Sequence, residues 1–502
     1  MDLLHDIGIG FDVALGLRNL WCALFGAALG SLVGVLPGVG PVAAMALLLP
    51  VIARLDVTPA LILLAAVYYG AQYGASTTTI LLKAPAGSAS NGIAIDGCQM
   101  ARQGRAGTAL SVAMLGSCFA GCLGTLVIAV LALPLAELAF RFGPAEYFSL
   151  MVLGLVGAAA FASGSFGKGL AMTLLGLLLA QVGAGATPGL PRFTFELPQL
   201  ASGIGFVVVA IGLFGAAEVI AHLAAGSGRR ERVTGEIANP RPTMHDLREA
   251  WPSVLRGTAL GSVFGLLPGS GALLASFASY ALEKKVVQQP RIPFGKGAIE
   301  GVAGPESANN AAAQTSFTSL LVFGIPANAV MALMVGVLTL RGIAPGPQVL
   351  TGQPQLFWGL IASMWVGNLM LVILNLPLAG FWSRLLSVPY ALVFPAIVLL
   401  CCLGAYALGH RTFDIYLVAF IAFIGYCLFK LGCDAAPLLL GFIMEPMLEE
   451  NLRHALLLSG GDWKMLVTRP LSSGLLIAAT LLIVGVSLPA VRQKRELALH
   501  DE

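Results

Sequence analysis

The sequence predicts an all-α polytopic membrane protein, and its composition supports that fold class in three ways. Of the 502 residues, 57% are hydrophobic and only 11% are charged, and the mean hydropathy is +0.87. Soluble domains carry roughly 25% charged residues, so a soluble enzyme, a nucleic-acid-binding protein and a disordered scaffold are excluded. The 61 glycines and 28 prolines are tolerated in transmembrane helices, especially in broken helices that pack inside a bundle.

Apolar stretches of spanning length follow one another along nearly the whole chain. In the first half they lie near 13–35, 41–54, 58–82, 106–134, 146–162, 168–186 and 201–224. In the second half they lie near 253–282, 308–340, 356–383, 389–408, 412–431, 434–448 and 470–490. A bilayer core takes roughly 20 apolar residues per helical crossing, so these stretches predict about 11 to 14 transmembrane or re-entrant helices.

A polar interval divides the chain into two membrane regions. Residues 1–225 and 251–490 are the predicted membrane repeats, 226–250 form an Arg-rich linker, and 491–502 form a basic tail. The Arg and Lys residues of the linker and the tail predict that both face the cytoplasm. The first residues are acidic, so we expect no cleavable signal peptide. Most of the eight cysteines lie in apolar runs, so we expect neither a disulfide framework nor a structural metal site.

The two halves share an internal repeat. Residues 26–40 and 257–271 are identical at ten of fifteen positions, at a constant offset of 231. The same offset relates Ser76 to Ser307, and at an offset of 241 residues 83–86 align loosely with 324–327. A glycine-rich match alone is also typical of close helix packing. Because proline, serine and glycine match in register, the sequence predicts a duplicated fold, which is typical of secondary transporters.

Each repeat contains a break that an α-helix cannot pass. The breaks cover residues 36–41 and 267–271, where prolines remove backbone donors and glycines open conformations with positive φ. A helix that restarts after such a break directs its N–H groups and positive dipole end into the break, which suits a carboxylate. A packing kink is the alternative interpretation. The candidate backbone ligands are Gly38, Gly40, Gly269 and Gly271.

The second element of each repeat is polar at membrane depth, over residues 68–80 and 304–316. Hydroxyl, amide and carbonyl groups coordinate Na⁺ and hydrogen-bond carboxylates, and in hydrocarbon they need partners. One or two such residues also serve as contacts between helices. Two dense clusters at matching places favour a binding role instead. The candidate binding side chains are Ser76, Thr77, Thr78, Asn309, Asn310, Thr315 and Ser316.

Charged residues near these clusters have alternative interpretations. Lys83 is either a counter-ion for an anionic substrate or a side chain that reaches the membrane interface. Glu306 could coordinate a cation, accept a proton or cap a helix, and the order Pro-Glu-Ser favours a helix start. Asp96, Arg102 and Arg105 are predicted to be exposed loop charges. The sequence contains neither a Walker A motif nor a hydrolase constellation.

Six stretches of the chain carry a resemblance to a known family: 34–41, 69–80, 96–107, 265–271, 300–312 and 324–336. Together they resemble the TctA family, the large membrane subunits of tripartite tricarboxylate transporters. The resemblance implies a secondary transporter of the bacterial inner membrane that imports tricarboxylates or dicarboxylates on a Na⁺ or H⁺ gradient. It also implies a small membrane subunit, a periplasmic solute-binding protein and no cofactor beyond the coupling ion.

The chain departs from the family pattern at two places. Residues 83–86 read Lys-Ala-Pro-Ala where the family commonly has Asn-x-Pro-Gly. Residues 318–324 read Thr-Ser-Leu-Leu-Val-Phe-Gly where the family commonly has Ile-Pro-x-x-Thr-Leu-Gly. Both departures fall in the expected site, so the substrate and the ligands of the coupling ion stay open. The alternatives are a channel that uses the paired breaks as a filter and a carrier that works without a binding protein. A membrane enzyme is the weakest alternative, because no nucleophile–base pair stands out.

Overall fold

The chain is all-helical throughout the part that the structure describes. This computed structural model describes residues 3–36, 40–82, 91–162, 164–183, 191–225, 242–266, 271–385 and 390–488. Within these ranges the other regular features are a 3₁₀ turn over Pro198–Leu200 and one antiparallel bridge between Gly183 and Arg192. The predicted all-α fold class is therefore confirmed.

The helices that precede the linker begin where the sequence supplies helix starts. They are α1 (Leu3–Ala14), α2 (Leu17–Val35), α3 (Pro41–Ile52), α4 (Val57–Leu82), α5 (Asn91–Arg102), α6 (Ala106–Ala139), α7 (Pro144–Phe161), α8 (Phe166–Ala180), α9 (Phe206–Ala210) and α10 (Ala217–Ala225). Proline opens α3 and α7, at a position whose N–H has no partner within the helix. A π-helical segment, Ile211–Ala216, joins α9 to α10.

The helices after the linker begin with side-chain caps at several positions. They are α11 (Met244–Gly265), α12 (Gly271–Val286), α13 (Glu300–Thr315), α14 (Ala329–Leu340), α15 (Pro347–Gly352), α16 (Pro354–Leu385), α17 (Tyr390–Gly409), α18 (Thr412–Lys430), α19 (Ala435–Leu458), α20 (Met465–Thr468) and α21 (Pro470–Ser487). Asn328 accepts a hydrogen bond from the Met331 N–H at the start of α14, and Asp434 accepts one from the Ala436 N–H at the start of α19.

Several helix boundaries differ from those predicted. The predicted stretch 253–282 is two helices, α11 and α12, on either side of the second break. The predicted stretch 308–340 comprises the end of α13, a π-helical segment Ser319–Phe323, and α14. Helix α11 begins within the interval 226–250, because Thr243 and Asp246 form a reciprocal capping box there.

Seven helices in the described ranges are long and apolar enough to cross a membrane: Leu17–Val35, Ala106–Ala139, Pro144–Phe161, Phe206–Ala224, Pro354–Leu378, Thr412–Lys430 and Pro470–Ser487. Shorter apolar helices include Pro41–Ile52, Phe166–Ala180, Ala329–Leu340 and Phe394–Ala407. The outer helices expose large apolar side chains, such as Phe423 on α18 and Leu481 on α21. Such surfaces suit contact with lipid, so the fold is that of a polytopic membrane protein.

Two helix pairs pack backbone against backbone through glycines. On α2, a Cβ atom added to Gly30 would lie 2.4 Å from the Val67 carbonyl oxygen on α4. On α11, a Cβ atom added to Gly261 would lie 2.2 Å from the Ala308 carbonyl oxygen on α13. Because side chains are absent at these contacts, the helix axes approach closely. The α2–α4 and α11–α13 pairs are thus held by the same kind of interface.

Helices α4 and α13 run antiparallel through the centre of the bundle. The Asn309 Nδ2 atom on α13 donates to Gln72 Oε1 on α4 over 3.4 Å. Further along α4, Ser76 contacts Glu306, so residue numbers rise on one helix as they fall on the other. This crossing brings the two predicted polar clusters together.

One end of the bundle is marked by polar contacts around the α3–α4 connection. Arg18 forms an ion pair with Asp56 just before α4. Arg341, just after α14, donates to the carbonyl oxygens of Ala53 and Leu55. The starts of α2 and α4 and the end of α14 therefore lie at the same end.

The opposite end of the bundle is marked by contacts around the start of α6. Arg105 donates to Asp246 Oδ1, at the start of α11, over 3.3 Å. Gln103 Nε2 donates to the carbonyl oxygen of Lys296, before α13, over 2.7 Å. Helices α11 and α13 thus start at this end, whereas α2 and α4 start at the other.

Candidate functional site

Helix α13 is polar but is buried along its whole length. Every residue from Glu300 to Thr315 is buried, although the helix contains glutamate, serine, asparagine, glutamine and threonine. It packs against α4, α5, α6, α11 and α12. Polar groups at membrane depth are costly unless they have partners, and they usually mark functional positions. The surroundings of α13 are therefore the candidate site.

Glu306 lies at the centre of this site, where hydrogen bonds join three helices. Its Oε1 atom lies 2.6 Å from Ser76 Oγ on α4 and 3.0 Å from Ser117 Oγ on α6. Asn310 Nδ2, one turn along α13, donates to the same Oε1 atom over 3.0 Å and to Ser117 Oγ over 2.8 Å. The Oε2 atom is buried and has no hydrogen-bond partner among the described residues.

Unpartnered buried polar atoms concentrate on the same helices. Of the buried side-chain polar atoms that lack a hydrogen-bond partner in the described ranges, most lie on α4, on α13 or just after α13. They are Tyr69 OH, Tyr73 OH, Thr79 Oγ1, Glu300 Oε2, Glu306 Oε2, Ser307 Oγ, Asn309 Oδ1, both polar atoms of the Gln314 side chain, and Thr318 Oγ1. Native proteins leave few such atoms, so this concentration makes the polar surface between α4 and α13 the candidate site.

The space beside Glu306 is closed in this conformation. Tyr73, Ser76 and Thr77 from α4 line it together with Met114 and Ser117 from α6. The void is too narrow for a water molecule. Any molecule the size of water or larger therefore requires a different conformation to reach Glu306 through this void.

Both helix breaks are tied to the polar elements by equivalent hydroxyl contacts. Thr78 Oγ1 on α4 donates to the Val35 carbonyl oxygen, at the end of α2, over 2.8 Å. Ser319 Oγ, after α13, donates to the Leu266 carbonyl oxygen, at the end of α11, over 3.4 Å. Carbonyl groups at a helix end lack partners within the helix, and these hydroxyls supply them. The ends of α2 and α11 therefore lie against the polar clusters.

The sequence matches a known family over most of its length. Residues 20–440 match the tripartite tricarboxylate transporter TctA family. The chain belongs to the TctA family. It is therefore a multi-pass membrane protein of a transporter family and not an enzyme, and the tripartite organisation of the family implies partner subunits.

The chain is also similar to two proteins from Agrobacterium vitis. An uncharacterised 52.8 kDa protein in the TAR-I ttuC′ 3′ region is 50% identical over 503 residues, covering 100% of both chains. An uncharacterised protein in the TAR-II ttuC′ 3′ region is 55% identical over 242 residues, which are 48% of this chain and 100% of that protein. No solved structure matches the chain.

The structure of this TctA-family chain places three of the predicted binding residues around Glu306. Ser76 and Asn310 contact its carboxyl group directly, and Thr77 lines the adjacent void. Asn309 faces Gln72 on α4 instead, and its Oδ1 atom has no partner among the described residues.

The other predicted residues lie farther along the same elements. The Thr315 and Ser316 hydroxyls donate to carbonyl oxygens of their own helix, over 3.0 Å and 2.7 Å. Gly40 caps the start of α3, and Gly271 is the first residue of α12, packed against the Phe264 carbonyl oxygen. Gly38, Gly269 and Lys83 lie outside the described residues.

Two predictions about charged residues are wrong. Glu306 does not cap a helix, because α13 begins at Glu300 and continues unbroken through Pro305. Asp96 is not an exposed loop charge, because it is fully buried on α5. Of the two neighbouring arginines, Arg102 is exposed as predicted, whereas Arg105 is partly buried and pairs with Asp246.

Asp96 holds the loop that leads into α13. Its Oδ1 atom accepts hydrogen bonds from the N–H groups of Gly295, Gly297 and Ala298, over 2.8, 2.7 and 3.0 Å. Its Oδ2 atom accepts one from Tyr280 OH over 2.9 Å. Three N–H groups that converge on one oxygen form an anion-binding concavity, which Asp96 fills.

Ser117 was missed at the sequence level because the hydroxyl residues of this long apolar stretch, Thr108, Ser111, Ser117 and Thr125, are spread along it and form no dense cluster. The glycines near Ser117 on α6 are the sequence feature from which its position could have been predicted. Gly116 and Gly124 on α6 lie against Ser307 and Gln314 on α13, so small residues mark the face of α6 that approaches the polar helix.

Proposed function

We propose that this chain is the large membrane subunit of a bacterial inner-membrane importer for organic carboxylates. In this proposal a Na⁺ or H⁺ gradient drives transport, a small membrane subunit completes the membrane complex, and a periplasmic binding protein delivers the substrate. The observation that carries the proposal is the buried, incompletely hydrogen-bonded polar surface between α4 and α13, with the ends of both broken helices against it. Secondary transporters place substrate and ion sites at such breaks.

Equivalent contacts in the two halves support inverted repeats. Val35 and Leu266 are related by the sequence offset of 231, and Thr78 and Ser319 by the offset of 241. Each pair takes the same part in the hydroxyl contact at a helix end. Helices α2 and α4 start at one end of the bundle and α11 and α13 at the other. We therefore infer two repeats of opposite orientation, 1–225 and 251–490, with the linker 226–250 and the tail 491–502 in the cytoplasm.

A second cavity supports a route from the outer side. It measures about 640 Å³ and lies where α6 and α14 end, at the end of the bundle opposite α11's start. Its lining includes Tyr147, Phe323, Gln348, Glu450, Asn451 and His454. Pockets for small organic ligands measure roughly 300–1,000 Å³, so this cavity has the size of a carboxylate vestibule.

Vesicle uptake tests the proposal. Vesicles that carry this chain, its small partner and the soluble binding protein are offered radiolabelled citrate, malate and acetate, under a Na⁺ gradient or a proton gradient. We expect saturable accumulation that needs the binding protein and collapses with one gradient. Unsaturable flux that ignores both gradients contradicts the proposal and favours a channel.

A further inference from the structure

The hydrogen-bond donors around Glu306 all contact one of its two carboxyl oxygens. Ser76 Oγ donates to Oε1 over 2.6 Å, and Ser117 Oγ and Asn310 Nδ2 donate to the same atom over 3.0 Å each. The Oε2 atom is buried and has no hydrogen-bond partner among the described residues. Oε2 is therefore the oxygen that can carry a proton in this conformation.

No described cation compensates an ionised Glu306. None of the ion pairs among the described residues involves it, and its Oε2 atom is buried without a partner. Removing an unpaired carboxylate from water costs far more than removing a neutral carboxyl group. Burial and the absence of a described cationic partner therefore favour the neutral form.

The titratable groups on the neighbouring helices supply no positive charge that would stabilise an ionised Glu306. From α4 the titratable group that lines the void is the Tyr73 hydroxyl, which is neutral at ordinary pH, and the α6 residues that line it are not titratable. Cys118, the nearby thiol on α6, brings no positive charge. From α5, Asp96 faces Gly301 on α13 and is held by backbone N–H groups.

On α12, Glu283 faces Gly304 of α13, and its negative charge is compensated by neighbouring groups. Arg256 on α11 donates to its Oε1 atom over 2.9 Å, and Ser253 donates to its Oε2 atom over 2.6 Å. Glu300, at the start of α13, adds a further negative group to this side. The surroundings of Glu306 thus contain carboxylates and neutral groups but no uncompensated described cation.

The same geometry does not suit Na⁺, which requires several oxygen ligands and space between them. Asn310 presents nitrogen to Glu306 Oε1, because the same Nδ2 atom donates to the Glu306 carbonyl oxygen over 3.1 Å. An N–H group repels a cation. The void beside the carboxyl is too narrow for a water molecule and so holds no coordinated ion in this conformation.

We propose that Glu306 carries the coupling proton of transport and that the conformation described here holds it protonated. This inference rests on the proposed transport function and assigns its coupling ion. A proton from water on the outer side binds Glu306 Oε2, while Oε1 accepts the hydrogen bonds from Ser76, Ser117 and Asn310. When α13 separates from α4 and α6 towards the cytoplasm, the O–H bond breaks and the proton returns to water. One O–H bond forms and one breaks in each cycle.

Infrared spectroscopy tests the protonation state without any substrate. In the purified full-length protein at acidic to neutral pH, we expect a carbonyl stretch from a buried protonated carboxyl group. The wild-type minus Glu306→Gln difference spectrum should show this band. The matched control Glu137→Gln, an exposed carboxylate on α6, should show no such difference. A difference spectrum without the band overturns the inference, whatever the transport assays give.

Transport assays test the coupling role. In the vesicles described above, Glu306→Gln resembles a permanently protonated carboxyl group. We expect it to exchange internal for external carboxylate but to lose accumulation driven by an inward proton gradient. Accumulation by Glu306→Gln that follows the proton gradient as in wild type overturns the inference, as does a Na⁺-driven accumulation that the variant retains. Wild-type vesicles that transport none of the three carboxylates contradict the proposed function instead.

Ser76→Ala gives a second test if Glu306→Gln does not fold. Ser76 donates to the Glu306 carboxyl and so stabilises its ionised form more than its neutral form. Removing this hydroxyl should shift the midpoint of the pH dependence of uptake to higher pH. An unchanged midpoint means that uptake does not depend on the protonation of Glu306 and overturns the inference. Thr125→Ala is the matched control, since this buried hydroxyl on α6 bonds only to the Gly121 carbonyl oxygen. It should leave the midpoint unchanged.

Discussion

Two buried carboxyl groups, Asp96 and Glu306, are held in different ways. Asp96 receives four hydrogen bonds, three of them from backbone N–H groups, and both oxygens have partners. Gly295 and Gly297 adopt φ of 82° and 104°, conformations that let the loop aim these N–H groups at one point. Glu306 receives side-chain contacts at one oxygen only. Asp96 is therefore a fixed anchor, whereas Glu306 retains an oxygen for a changing partner.

Asp96→Ala should destabilise the protein, because it leaves the N–H groups of the buried residues Gly297 and Ala298 unpaired. Each unpaired buried donor costs about 1–3 kcal/mol. We expect thermal unfolding in detergent at a lower temperature and faster trypsin cleavage after Arg291 or Lys296, in the loop that Asp96 holds. Asp12→Ala, at an exposed position on α1, is the control. Equal unfolding temperatures for the two variants would contradict the anchoring role.

Asn310→Ala should abolish uptake without reducing the amount of protein in the membrane. The variant removes the amide that donates to Ser117 and to Glu306, and so disorders the contact between α6 and α13. Uptake and immunoblots of the same vesicles measure both quantities. Asn368→Ala is the matched control, because this buried amide donates to the Met364 carbonyl oxygen of its own helix. Normal uptake by Asn310→Ala would exclude Asn310 from the site.

At the residue level, the sequence predicted which polar side chains cluster at membrane depth better than it predicted their hydrogen-bond partners. Ser76 and Asn310 were predictable, because polar side chains inside apolar stretches are energetically costly and usually mark functional positions. The burial of Asp96 was not, because its donors come from a loop 199 to 202 residues away along the chain. Glu306 was misread as a helix cap, since Pro305 before it suggests a helix start although it lies inside α13.

At the scale of elements, glycines decide how closely the central helices approach. Gly257, Gly261 and Gly265 on α11 each lie against the backbone of α13. The corresponding glycines of α2 lie against α4 in the same way. Each predicted break follows such a glycine-lined helix, so a closely packed helix pair precedes it in both halves. Close backbone packing is what holds the broken ends in place at membrane depth.

Gly261→Ala should separate α11 from α13, because the new Cβ atom would meet the Ala308 carbonyl oxygen at 2.2 Å. Overpacking of this kind costs about 1–3 kcal/mol. A lower unfolding temperature in detergent is the expected result. Gly474→Ala on α21 is the matched control, because a Cβ atom there has no neighbour within 4 Å. Equal unfolding temperatures for the two variants would show that the α11–α13 interface tolerates separation.

Helix boundaries were predictable only where hydropathy changes sharply. The predicted stretch 106–134 corresponds well to α6, which is apolar nearly throughout. Helix α13 begins eight residues before the predicted stretch 308–340, since its first half is too polar to count as a membrane segment. Its burial depends on five neighbouring helices, and a local hydropathy pattern does not contain that information.

At the scale of the whole molecule, opposite ends of the bundle should face opposite sides of the membrane. In a variant without the eight native cysteines, Asp56→Cys should react with a membrane-impermeant maleimide in intact cells. Lys296→Cys should react only after permeabilisation, because its loop lies at the end where α11 begins after the Arg-rich linker. Labelling of both variants in intact cells would contradict the inverted arrangement.

The polarity of α13 also constrains how the chain is made. A segment with so few large apolar side chains gains little from entering lipid by itself, and translocation machinery admits helices according to that gain. Its partners α4, α5 and α6 leave the ribosome much earlier, and α11 and α12 just before it. Integration of α13 during synthesis therefore depends on these helices already standing in the bilayer and offering it a protein surface. Synthesis of the chain thus inserts this polar helix only after the helices that bury it are in place.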